Sequence, residues 1–177
     1  ISFAPIWLLA PFVEELASYY PERLAGLRGL IACSSSSTIT KRFAFNRYDH
    51  RLVARLSSSE QKLIDTCRIL DVPIRILQPT LIYGQIGAYC DRNLSSLLQW
   101  LRSVPVLPFP ANTGLRQPIH ASQLASVALH FAQQLASSNW DLTFPECIAL
   151  GGDTTLTYSE MISALQHFQP SNDPAHR

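Results

Sequence analysis

The stretch Ile74-Arg75-Ile76-Leu77-Gln78-Pro79-Thr80-Leu81-Ile82-Tyr83-Gly84 decides the fold. Its apolar start, set between Pro73 and Pro79, predicts a short buried strand that runs into a loop. Upstream, Leu52, Leu56, Leu63, Cys67 and Leu70 recur at helical spacing and predict an amphipathic helix from about Asp49 to Leu70. Further back, Leu30-Ile31-Ala32-Cys33 reads as another buried strand, ending in Ser34-Ser35-Ser36-Ser37. Between that strand and the long helix, the polar and aromatic stretch Lys41 to Tyr48 reads as a loop. The chain opens with a helix over Ile6 to Tyr20 that Pro21 stops.

Downstream, Leu94, Leu97, Leu98 and Leu101 predict a helix over Asn93 to Ser103, and Leu124, Ala128, Phe131 and Leu135 predict another. Pro105 to Pro118 reads as irregular, and Cys147 to Leu150 as a short strand before Gly151-Gly152. Thr157 and Glu160 have the form of a capping box opening a last helix, Tyr158 to His167. This alternation is that of a parallel α/β sheet flanked by helices. The strands near Leu30 and Ile74 are expected to be parallel neighbours, with the strand near Ile148 in the same sheet. In such sheets ligands bind beyond the carboxyl ends of the strands, which singles out the loops 34–37 and 79–84.

With 177 residues, 47% of them hydrophobic and 15% charged, the chain is read as a globular unit over 1–169 with a flexible tail at 170–177. A net charge of +1 argues against nucleic acid as a partner. The opening apolar run lacks a basic leader and ends at Glu14-Glu15, too short to cross a bilayer, so no membrane partner and a cytoplasmic location are expected. That run begins at Ile1 as if a domain were entered halfway, and the chain reads as truncated at its N-terminus. Cys33, Cys67, Cys90 and Cys147 form no CxxC pair, so buried free thiols are expected and a metal site is not.

The motifs are sparse. Gly26-x-x-Gly29-x-x-Ala32 precedes a strand where a dinucleotide loop should follow one, and Gly84-x-x-Gly87 lacks a third glycine. The chain therefore has no pyrophosphate cradle. No Gly-x-Ser-x-Gly elbow occurs. His50 and His120 stand as acid/base candidates or as structural histidines. Lys41, Arg42, Arg47, Arg51 and Arg55 form either a solvated basic face or a phosphate site. Both readings stay open.

Taken together, a strand ending in Ser-Ser-Ser-Ser-Thr-Ile, a helix with Glu60, and Ile-Leu-Gln-Pro-Thr-Leu-Ile-Tyr-Gly resemble the extended short-chain dehydrogenase/reductase family. These are NAD(P)-dependent epimerases and dehydratases, many acting on nucleotide-sugars. Asn93-Leu94, Gly114-Leu115-Arg116-Gln117-Pro118-Ile119-His120, Leu124-Ala125 and Leu150-Gly151-Gly152 with 156–161 continue the resemblance in order. It implies a partial Rossmann-like sheet with a small substrate lobe from segments 84–118 and 151–169. It also implies that Ser36 polarises the reacting substrate oxygen and that Pro79 and Thr80 meet the nicotinamide of NAD or NADP. Asn93, Leu94 and Arg116 would grip a nucleotide-sugar, Arg116 at its diphosphate.

The sequence departs from the family in four ways. Counting back from Glu60, the Tyr-x-x-x-Lys positions hold Leu52 and Leu56, and no such pair occurs elsewhere. Tyr48, one turn earlier, is the substitute acid/base, with Arg51 or Arg55 as its cation. Gln78 and Gln123 stand where the family has Arg and Asp. The Gly-rich first half is not in this sequence. Two functions follow: an atypical NAD(P)-dependent enzyme of nucleotide-sugars, or a nucleotide- or phosphate-binding assembly module without redox chemistry. The chain alone is expected to bind NAD(P) weakly, and its open sheet edge to be bare or covered by a second copy or another chain.

Overall fold

The computed structural model describes residues 1–86, 89–103, 114–137 and 145–167, with backbone alone at 85, 86, 89, 90, 92, 93, 98, 101, 102 and 165–167. Pro5 precedes the first helix, α1 (Ile6–Tyr19), and Pro21 follows it, opening a 3₁₀ turn (Pro21–Leu24). Next come β1 (Leu30–Cys33), the short α2 (Ser37–Thr40), the long α3 (Arg47–Ile69) and β2 (Ile74–Pro79). The short strands β3 (Ile82–Tyr83), β4 (Gln85–Ile86) and β5 (Tyr89–Cys90) lead into α4 (Arg92–Ser103). After β6 (Leu115–Arg116) and β7 (Ile119–His120) come α5 (Ala121–Ala136), β8 (Cys147–Leu150), β9 (Leu156–Thr157) and α6 (Tyr158–His167).

Among the described residues the main sheet has the order β1-β2-β8, parallel throughout, with Leu30 opposite Ile74 and Leu77 opposite Ile148. The three strands that the apolar runs predict thus share one sheet. β2 lies between the other two and is buried at every position. Alternation divides its neighbours. Leu30, Ala32, Ile74 and Ile76 pack with Ile6, Leu9, Val13, Leu56, Leu63 and Cys67, filling the space between the sheet and the helices α1 and α3. Ile31 and Leu77 face the other way, against Leu124, Ala128 and Phe131 of α5.

Two boundaries differ from the sequence reading, each for a local reason. α3 starts at Arg47 because Asn46 caps it: Asn46 Oδ1 accepts from Asp49 N at 2.8 Å. The carboxylate of Asp49 accepts in turn from Asn46 Nδ2 and Lys41 Nζ, both at 2.7 Å, which holds its acidity below the ordinary carboxylate range. The serine run is not all loop, since Ser37–Thr40 makes one helical turn. At the other end the expected capping box is present. Thr157 N and Oγ1 donate to Glu160 Oε2 at 2.7 and 2.8 Å, lowering the Glu160 pKa, and Glu160 N donates to Thr157 Oγ1 at 3.1 Å. That cap is intact above the ordinary glutamate range and is lost as acid protonates the carboxyl.

The outer edge of β1 is covered at one point. Ser2 N donates to Ile31 O at 2.8 Å and Cys33 N donates to Ser2 O at 3.1 Å, a single parallel bridge, with Ile1 and Phe3 exposed beside it. Segment 84–118, expected to form a small lobe, contains β4, β5, α4 and β6, whereas 104–113 and the expected tail 170–177 lie outside the described residues. No described helix is long and apolar enough to cross a membrane, and no described group of His, Cys, Asp or Glu has the arrangement of a metal site.

Three described cysteines are free, and burial pushes each thiol up to about 11: Cys33, Cys67 and Cys147. At neutral pH their thiolate fraction should be about a hundredfold below that of an exposed cysteine. Iodoacetamide should therefore label these three slowly in the native chain and fast in urea, as read by peptide mass spectrometry. Rapid native labelling of Cys67 would contradict its burial.

Candidate functional site

The site is built where β1 and β2 end. Their pairing continues past the strands: Ser34 N donates to Leu77 O at 2.8 Å and Ser36 N to Pro79 O at 2.9 Å. The serine loop is thereby fixed against the 79–84 loop, and Ser36 and Pro79 are brought together. A buried polar group anchors it from below. Ser34 Oγ donates to Glu60 Oε1, and Gln78 Nε2 lies 3.0 Å from both Glu60 oxygens and 3.1 Å from Thr38 Oγ1. Glu60 and Gln78 are buried, so their mutual satisfaction is what makes this cluster tolerable in a core. Gln78 meets the Glu60 carboxylate as a neutral amide.

Within this cluster Ser34 is engaged and Ser36 is not. Ser36 is buried, yet its Oγ makes no hydrogen bond among the described residues. Its backbone carbonyl is occupied, accepting from Ile39 N and Thr40 N at 2.9 Å each. The hydroxyl is thus held in place with its own bonding capacity unspent.

Pro79 and Thr80 are committed to the protein. Pro79 O takes the Ser36 amide, Thr80 N donates to Leu150 O at 2.9 Å, and Thr80 Oγ1 donates to Gln117 O. Tyr48 sits in the first turn of α3 and is largely exposed, with no hydrogen bond to Ser36. Leu52 and Leu56 belong to the core between α3, α1 and the sheet, Leu56 fully so. Apolar packing against α1 accounts for leucine at both positions.

Arg116 lies elsewhere, on β6. The antiparallel pairing of β6 with β9 sets Arg116 opposite Leu156, and its guanidinium carbon rests 5.9 Å from the centroid of the Tyr158 ring. It helps line a cleft of about 340 Å³ with Leu81, Leu94, Leu97, Trp100 and Met161. Leu94 is buried there, and its amide donates to Asp91 Oδ1 at 2.7 Å. The Asn93 side chain lies outside the described residues. A second cleft of about 410 Å³ shares Leu94 and Met161 and adds Tyr83, Gln123 and Asp153. The chemistry on offer is an apolar slot with one planar cation at its wall.

His120 has a structural task. It caps α5, its Nδ1 within 3.3 Å of Ser122 N and 2.7 Å of Ser122 Oγ, while Gln123 Oε1 accepts from His120 N at 3.0 Å. Gln123 Nε2 then reaches Asp153 Oδ2 at 2.8 Å. The ring is also why position 84 is glycine: φ is +134°, and a Cβ would come within 2.6 Å of His120 Nε2. Sequence reasoning missed the Glu60 cluster, this cap and the part of Tyr158. Of these, only His120 followed by Gln three residues on has the form of a cap signal.

The structure of this chain is similar to several solved enzymes. UDP-glucuronic acid 4-epimerase from Bacillus cereus, in complex with NAD, superposes with a TM-score of 0.62 at 17% identity over 89% of this chain and 50% of that one. UDP-glucose 4-epimerase from Brucella ovis, also with NAD, gives 0.55 at 17% identity, covering 86% of this chain and 56% of that one. An NAD-dependent NDP-hexosamine 5,6-dehydratase of tunicamycin biosynthesis gives 0.53 at 17%, covering 77% and 45%. No protein-family model and no curated protein sequence matches the chain. The chain spans about half the length of these enzymes and has their Rossmann-like α/β fold.

Proposed function

We propose that the chain is an epimerase-, dehydratase- or reductase-like protein of nucleotide-sugars, atypical in its acid/base residues, whose own contribution is substrate recognition. The observation that carries this is Arg116 at the wall of the apolar cleft. A base and ribose suit the leucine, tryptophan and methionine lining, and a diphosphate suits the guanidinium fork. In this reading Leu94 and Asn93 border the nucleotide, and Ser36 donates a hydrogen bond to a substrate oxygen.

The residues present fit a dinucleotide cofactor poorly. The backbone groups of Pro79 and Thr80 that would meet a nicotinamide carboxamide are largely bonded within the protein, and the seven glycines include no strand-to-helix phosphate loop. NAD or NADP is therefore held weakly by this chain on its own.

Calorimetric titration with UDP tests the reading. Saturable binding is expected, and Arg116→Ala should weaken it about 10- to 150-fold, the loss of charge-assisted bonds of about 1.5–3 kcal/mol. UMP should bind more weakly than UDP. Equal affinity in wild type and Arg116→Ala would overturn the assignment, as would micromolar NADH binding for the cofactor.

The core position of Leu52 and Leu56 favours a second reading, a nucleotide- or phosphate-binding module without redox chemistry. NADH formation from NAD and a UDP-sugar, lost in Ser36→Ala, supports the enzyme. UDP binding without any such turnover supports the module.

A further inference from the structure

The segment 41–55 carries five of the chain's fourteen basic residues and one acid, Asp49, in a protein of net charge +1. Lys41 is paired with that acid at 2.7 Å. Arg42, Arg47, Arg51 and Arg55 are exposed and make no ion pair among the described residues. Arg47, Arg51 and Arg55 follow one another at i, i+4 and i+8 of α3, a single stripe along the helix. At its N-terminal end two phenylalanines project from the preceding loop, Phe43 at 83% and Phe45 at 102% of full exposure. Arg55 ends the stripe above the Trp7 ring, 4.7 Å from its centroid.

Two features set this patch apart from an ordinary solvated face. Arg47 occupies the first turn of α3, where the helix dipole disfavours a cation, so it works against the stability of its own helix. Phe43 and Phe45 are as exposed as side chains become, beside cations and with no described cleft around them. None of the described clefts includes these rings or arginines, so no described groove sandwiches the bases of a nucleic-acid strand or holds a small phosphate there. The patch matches a broad, flat anionic partner with an apolar layer beneath its charge.

We propose that this surface docks on a bilayer rich in anionic phospholipid, with Arg42, Arg47 and Arg51 at the headgroup phosphates and Phe43 and Phe45 inserted beneath them. The expectation of no membrane partner rests on the opening apolar run, which bears on a membrane span and not on a surface contact, and the net charge of +1 averages the patch with an acidic remainder. The attachment is peripheral and independent of the nucleotide-sugar reading.

The test is flotation of the intact chain with vesicles. Binding is expected to an equal mixture of phosphatidylglycerol and phosphatidylcholine in about 0.1 M salt, and to be lost in about 1 M salt. Vesicles of phosphatidylcholine alone should bind at least about tenfold less. Arg42→Gln/Arg47→Gln/Arg51→Gln should reduce partitioning about a hundredfold, and Phe43→Ser/Phe45→Ser about tenfold. Thermal melts show that the variants fold, and Arg47→Gln alone should melt no lower than wild type because it relieves the helix dipole. A structural role would move stability the other way. Equal binding to neutral vesicles, or either variant binding like wild type, overturns the proposal. So does salt-sensitive binding of a single-stranded oligonucleotide without vesicle binding, and so does displacement from vesicles by millimolar inorganic phosphate.

Discussion

Leu56→Lys should leave the chain largely unfolded at room temperature. Leu56 is 2% exposed and packs with Ile6, Leu9 and Val13 of α1 and with Leu63 one face along α3. The substitution removes about 2 kcal/mol of apolar burial and places an ammonium in the core, where the carboxylate one turn along α3, Glu60, is already engaged by Ser34 and Gln78. An uncompensated buried charge costs about 3–5 kcal/mol, and the sum rivals the entire stability of a domain this size. Leu56→Met, which keeps the volume, should cost under about 1.5 kcal/mol. Urea unfolding followed by circular dichroism measures both. The comparison carries weight because lysine here would supply half of the Tyr-x-x-x-Lys pair that the sequence resemblance leads one to expect. A stable Leu56→Lys chain would mean that this face of α3 opens to solvent, and the case against proton transfer from these positions would collapse.

Gly152→Ala is the second substitution with a large expected effect. A Cβ at Gly152 would lie 1.9 Å from Pro118 O and 3.4 Å from Ile119 Cα, both backbone atoms that no rotamer change can move. The chain leaving β8 must back away from 117–119. That would break the Gly152 N to Gln117 O bond of 3.2 Å and disturb the Thr80 bond to the same carbonyl. Overpacking and lost hydrogen bonds together should cost about 2–4 kcal/mol. Because β6 precedes this stretch directly, UDP binding at Arg116 should weaken as well. Gly26→Ala is the matched control, since nothing lies within 4 Å of its Cβ, and it should change stability by under about 0.5 kcal/mol.

The sheet was legible because apolar runs and proline boundaries are local signals. Leu30–Cys33, Ile74–Pro79 and Cys147–Leu150 each declare a buried strand within a few residues, and Leu56, Leu63 and Cys67 declare the face that covers them. The polar core was not legible in this way. Glu60, Ser34 and Gln78 are scattered along the chain, and none signals burial by type, so only their convergence in space makes the cluster. Ser36 was found by motif order, but its unengaged hydroxyl is visible only once Ser34 is seen bonded to Glu60. The basic stripe lay open between two readings because sequence gives charge spacing and not exposure. The structure adds that the four arginines and Phe45 are exposed.

The placement of β2 between an early neighbour and a late one has a consequence for synthesis. Its pairing with β1 closes through α3, whereas β8 arrives only after α4, β6, β7 and α5 have been made. Loop closure and slow non-local pairing make the β2–β8 ladder the later event in assembly. On the ribosome the nascent chain therefore presents β2, apolar and with one row of amides and carbonyls unpaired, until Cys147–Leu150 emerges. That interval is the period in which this chain is most open to aggregation.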